Sequence, residues 1–82
     1  MKVSVVYASA TDQVWLDVDV EPEATILNAI SCSGILKVFP EIDLSNQKVG
    51  VFGKIRTLDS ELAEGERVEV YRAVTRIENS LS

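Results

Sequence analysis

Few residues in this chain are equipped for chemistry. Its 82 residues include no histidine and one cysteine, Cys32. Zinc and iron–sulfur sites draw on about four ligands, and one thiol cannot supply them. Cys32 falls near the end of a predicted helix, away from the N-terminal dipole that would activate a thiol, and reads as a packing residue at the helix edge. Asp17 and Asp19 lie two apart in an alternating segment and so project side by side, as a pair of catalytic carboxylates would. Glu41 and Asp43 flank Ile42 in the same way. No pocket-forming pattern accompanies either pair, so both read as solvated charges. Gly50, Gly53 and Gly65 form no phosphate loop; they read as one strand glycine and two turn positions. The expectation is a protein with no catalytic residue, no cofactor and no metal.

Composition narrows the class further. A hydrophobic fraction of 46% without any run approaching the roughly 20 apolar residues of a membrane span predicts a globular domain with no membrane insertion. The opening residues, Met1-Lys2-Val3-Ser4-Val5-Val6-Tyr7-Ala8, alternate in polarity and lead into a second alternating segment, which is strand rather than leader. A lone thiol with no disulfide framework favours the cytoplasm. The net charge of −5 sits wholly in the first 44 residues, where Lys2 and Lys37 face seven carboxylates; the rest carries six basic and six acidic side chains. Such a domain is repelled by phosphate backbones, so nucleic acid is excluded as a direct partner. The carboxylates keep a small domain dissolved or face a basic protein surface.

These residues are positioned by a compact set of elements. Strands are predicted over residues 2–8 and 13–20, joined as a hairpin through residues 9–12, because Val14, Leu16, Val18 and Val20 alternate with Gln13, Trp15, Asp17 and Asp19. Thr25 is the N-cap of a helix with Ile26, Leu27, Ala29 and Ile30 on one arc and Asn28, Ser31 and Cys32 on the other. Gly34 stops it in the left-handed conformation, with Ile35 folding back onto the last turn. Residues 35–44 are apolar without period, Pro40 forbids a continuous helix, and the segment is expected over the open side of the sheet. Residues 48–52 form the third strand, 55–58 a short fourth, 59–65 a turn anchored by Leu58 and Leu62, and 67–73 the last strand. This order predicts an α+β fold of β-grasp type: a mixed four- to five-stranded sheet with one helix packed across one face, and the first and last strands adjacent and parallel. Residues 1–74 make the single domain, and 75–82 a short frayed tail.

One feature stands above background. If Val14, Leu16 and Val18 face the helix, Trp15 faces away, and the same alternation turns Phe52 and Tyr71 outward. Exposed aromatics on so small a domain indicate a contact surface, since aromatics are enriched at interface hot spots. In the competing structural reading, Trp15 merely covers a neighbouring strand or sits under Arg67 or Arg72.

With these segments in place the chain resembles the RnfH family of bacterial ubiquitin-like proteins. The residues that carry the resemblance are Val5-Val6-Tyr7-Ala8, Ala29-Ile30, Ser33-Gly34-Ile35-Leu36, Ile42-Asp43-Leu44, Lys48-Val49-Gly50-Val51 and Gly65-Glu66-Arg67-Val68-Glu69-Val70-Tyr71-Arg72. The resemblance implies association with genes of the Rnf electron-transport complex and a neighbouring gene for a START-domain protein of toxin type. It implies no defined biochemical role. Family tails continue from Tyr-Arg into a proline and a basic extension, whereas here Ala73 follows Arg72. A sulfur carrier of this fold needs a C-terminal Gly-Gly for adenylation, and no two glycines are adjacent in the sequence.

The function expected is therefore a non-catalytic protein-binding module, monomeric or weakly dimeric. Trp15, Phe52 and Tyr71 would supply apolar contact, and Asp17, Asp19 and Arg72 a charged rim. A second reading is an antitoxin-like partner of the START-domain protein, a third a sulfur carrier. The apolar loop over residues 39–44 is the alternative binding surface.

Overall fold

The computed structural model describes residues 1–8 and 13–71. The hairpin tip, Arg72 and the tail expected from residue 75 lie outside the described residues.

Five strands and two helices follow in the order β1 (Lys2–Ala8), β2 (Gln13–Asp19), α1 (Ile26–Ser33), α2 (Ile35–Val38), β3 (Val49–Val51), β4 (Lys54–Arg56) and β5 (Arg67–Val70). They form one mixed sheet in the order β2-β1-β5-β3-β4. β1 and β5 run parallel at its centre, with Val5 beside Val68 and Tyr7 beside Val70, as expected for a β-grasp. Val3, Val5, Tyr7, Val49, Val51, Val68 and Val70 turn to one face, where they meet Ile26, Ala29 and Ile30 of α1 in a single core.

α1 starts where its residues dictate. The Thr25 hydroxyl accepts from the Asn28 N–H at 3.2 Å and the Asn28 side chain accepts from the Thr25 N–H at 3.0 Å, closing a reciprocal cap. Leu27, expected on the buried arc, is exposed, because only Ile26, Ala29 and Ile30 point at the sheet. Cys32 is exposed as well and does not pack at the helix edge. Gly34 takes φ 77° as expected, but the chain bends there into α2 instead of leaving helical structure. The Ser33 hydroxyl spans the bend, donating to the Ile30 carbonyl at 2.7 Å and accepting from the Ile35 N–H at 3.1 Å.

Residues 35–44 do not cover the open side of the sheet. Ile35 and Ile42 join the core on the helix side, and the Phe39 ring meets buried Tyr7 edge-on at 5.0 Å. The reason is arithmetic: an eight-residue helix is too short to cover five strands, so the apolar run completes the same layer. Among the described residues, nothing covers the opposite face.

The β3–β4 connection also differs from expectation. Phe52 is not a strand residue; Phe52 and Gly53 form a two-residue turn between the paired Val51 and Lys54, with φ 49° and 83°. Positive φ at both positions is the type I′ geometry, which suits the twist of a hairpin. β4 consequently begins at Lys54, one residue before the predicted strand.

Candidate functional site

Strand register decides what the bare face carries. Val6 lies opposite Trp15 on β2 and beside Glu69 on β5; Glu69 lies opposite Gly50, and Gly50 opposite Ile55. Residues in register share a face, so Trp15, Val6, Glu69, Gly50 and Ile55 form one row across all five strands. In the adjacent row Ser4 stands between Asp17 and Arg67, and the Phe52 N–H donates to the Arg67 carbonyl at 3.4 Å. Three of the side chains are large, apolar and more than half exposed: Trp15 at 57%, Phe52 at 55% and Ile55 at 60%.

Arg67 ties two of them together. Its guanidinium carbon lies 5.4 Å from the Trp15 ring centroid and 5.2 Å from that of Phe52, so one cation sits against two rings. Each contact contributes about 0.5–1 kcal/mol at an exposed site. The competing structural reading, with Trp15 under Arg67 or Arg72, finds its arginine in Arg67, but that arginine serves Phe52 equally, and both aromatics stay open to solvent.

Glu69 organises the rest. Its carboxylate accepts from Arg67 Nε at 3.1 Å, from the Gly53 N–H at 2.8 Å and from the Tyr71 hydroxyl at 2.8 Å. One side chain thereby fixes the cation, the turn that presents Phe52, and the Tyr71 ring. Burial alone would raise the Glu69 carboxyl, but the bonds from Tyr71 and Gly53 and the Arg67 charge outweigh it and hold the group below the usual glutamate range. The Tyr71 phenol is pushed above its ordinary value by burial and by the adjoining Glu69 carboxylate.

Tyr71 is half-buried because Gly50 gives it room. A Cβ at Gly50 would come 3.0 Å from the Tyr71 hydroxyl and would collide with the Lys54 carbonyl. Asp17 is exposed and accepts from Trp15 Nε1–H at 3.3 Å; Asp19 is exposed opposite Lys2. The structure thus brings Trp15, Phe52, Tyr71, Asp17 and Asp19 onto the bare face or its rim. Sequence reasoning missed Ile55, Glu69 and the double role of Arg67. The Phe-Gly pair could have signalled the tight turn, and with it the register that sends Ile55 outward.

Elsewhere the chemistry is sparse. Among the described residues no group of three or more Cys, Asp or Glu side chains is placed to hold a metal, and no helix is long and apolar enough to cross a membrane. Asp43 holds a local turn: the Ser45 hydroxyl and N–H and the Asn46 amide all donate to it and lower its carboxyl from the ordinary value.

A parallel β1–β5 pair, a helix across one face and an uncovered opposite face define a ubiquitin-like β-grasp protein. Solved structures agree on the fold. Small archaeal modifier protein 1 of Haloferax volcanii matches with a TM-score of 0.67 and 16% identity, over 89% of this chain and 98% of its own. A ubiquitin-like protein from Caldiarchaeum subterraneum matches with a TM-score of 0.53 and 19% identity, over 96% of this chain and 100% of its own.

The chain belongs to the RnfH family: the family model described as RnfH family Ubiquitin matches residues 1–77. Protein RnfH of Paramagnetospirillum magneticum is 53% identical over 75 residues, 92% of this chain and 77% of the relative. Those of Rhodobacter capsulatus and Azotobacter vinelandii are 55% and 48% identical, covering 90% and 96% of this chain and 87% and 92% of theirs.

Proposed function

We propose that this protein is a non-catalytic binding module that takes a partner protein on its bare sheet face. The observation that carries the reading is the Arg67 guanidinium held against both Trp15 and Phe52, with Glu69 as its counter-ion. An arginine that neutralises its charge internally and braces two exposed rings is pre-ordered for contact, which lowers the entropy cost of binding. The surrounding Ile55 and Tyr71 extend the apolar area, and aromatics with arginine are the residue types that dominate interface energetics. Phe52 supports the same reading, because an aromatic side chain held in the left-handed region serves presentation better than it serves the backbone.

The setting proposed is cytoplasmic, and the first candidate partner is the START-domain protein implied by the family resemblance. The test is capture from native cells with the tagged full chain, followed by cross-link mapping on the partner found. Cross-links concentrated around Lys2 and Lys48, which flank the bare face, support the reading. Cross-links confined to Lys37 beside the apolar 39–44 loop would overturn it.

A further inference from the structure

β2 is an edge strand of the sheet, and among the described residues its outer backbone is open. The Ser4 N–H donates to the Glu66 carbonyl and the Lys2 carbonyl accepts from the Gly65 N–H, so even-numbered residues of β1 bond toward β5 and odd-numbered ones toward β2. With Val3 paired to Val18, Val5 to Leu16 and Tyr7 to Val14, the even-numbered residues of β2 are the ones engaged. Trp15, Asp17 and Asp19 therefore turn their N–H and C=O groups away from the sheet, and these backbone groups have no partner among the described residues.

Edges of this kind are normally blunted by charged side chains, by proline or by a bulge. β2 has no proline, no bulge and no lysine: seven residues pair in unbroken register, and the charges on them are the two carboxylates of Asp17 and Asp19, which repel acidic strands but not basic ones. On the helix side Leu16 and Val18 are only half-buried. Next to them Val20, Glu21, Ala24, Asn28 and Cys32 line a shallow recess. An apolar strip thus runs beside an open ladder with an acidic rim. Neither Asp17 nor Asp19 forms an ion pair among the described residues.

We propose that the β2 edge accepts an extended basic segment of a partner protein as an antiparallel sixth strand. Lysine or arginine lies opposite Asp17 and Asp19 on the outer face, and the apolar residues alternating with them lie against Leu16 and Val18. Charge sets this occupant above a second copy of the chain: β2–β2 registers centred on Trp15 or Leu16 leave Asp17 opposite Gln13 or Trp15 with no cation to meet it, and the others oppose carboxylates. An antiparallel β2–β2 pair centred on Asp17 sets that carboxylate against itself, and one centred on Val18 sets Asp17 against Asp19; like charges directly opposite destabilise a pair. The proposal does not rest on the Arg67 cluster, because it uses the backbone of β2, its helix side and, on the outer face, only the carboxylates of Asp17 and Asp19.

The test uses the ¹⁵N-labelled full chain and three capped nine-residue peptides: alternating valine and lysine, alternating valine and glutamate, and the first with its lysine amides N-methylated. Residues opposite Asp17 and Asp19 direct their own N–H groups at β2, so this methylation removes the ladder and leaves the charge. The valine–lysine peptide is expected to shift and protect the Trp15, Asp17 and Asp19 amides. It should bind roughly tenfold or more tighter than the valine–glutamate peptide and lose binding on methylation. Equal binding of the methylated peptide, protection confined to Phe52, Ile55 and Tyr71, or no binding at about 1 mM peptide would overturn it.

Discussion

Phe52→Asn separates presentation from folding. The substitution keeps the turn and installs the residue that type I′ turns favour ahead of glycine. Holding an ordinary L side chain in the left-handed region costs about 1–2 kcal/mol, a cost asparagine largely escapes. Against this, the variant loses one contact with Arg67, worth about 0.5–1 kcal/mol. Little burial is lost, because the ring is already 55% exposed. The bond from the Gly53 N–H to Glu69 is untouched. The balance is a stability unchanged or raised by up to about 1 kcal/mol, which for a domain of this size is a rise in Tm of at most roughly 4–8 °C. Partner affinity should nevertheless fall about tenfold or more, because the ring is a contact residue. Thermal melts followed by circular dichroism, with a titration of the captured partner, read both quantities. A Tm lowered by more than about 5 °C would show that the ring supports the fold, and the strain argument would fail.

Other outcomes follow from the same geometry. Ile30 is fully buried and Val70 nearly so, and truncating either to alanine should cost about 2–4 kcal/mol; melts within a degree or two of wild type would show that the core is assigned to the wrong face. Gly50→Ala should cost about 2 kcal/mol or more, since its Cβ meets the Lys54 carbonyl rather than a movable side chain, and Tyr71→Phe should not rescue it. Glu69 has a folded pKa below its unfolded value near 4.5, so its contribution is complete above that pH and is lost as pH falls through the folded value. The stability gap between wild type and Glu69→Gln should therefore be widest near neutrality and close in acid; a gap independent of pH across that window would refute the carboxylate's role.

Much of the fold was legible because alternation is a local signal. β2 reads its own two faces, and Trp15, Asp17 and Asp19 fall where period two puts them. Thr25 announces the start of α1 by its type, whereas the return bond from Asn28 came only with the structure. Which strands pair was legible, but features that depend on the exact register between them were not. Ile55 faces outward only because β4 pairs with β3 at Gly50, and that register follows from a tight turn built on an unfavoured aromatic. Of the groups that converge on Glu69, Arg67 and Tyr71 lie two residues away on the same face, a spacing that alternation encodes, but the Gly53 N–H arrives from 16 positions away and no spacing rule gives it. The apolar 35–44 segment misled because its composition shows that it is buried but not on which side of the sheet.

The central claim is that the bare face binds and does not merely cover. Wild type, Trp15→Ala and Tyr71→Ala should be titrated with the captured partner beside their melting curves. Each substitution is predicted to weaken binding by about 2 kcal/mol or more while stability falls far less than for the core truncations. Two folded variants with full wild-type affinity would contradict the claim.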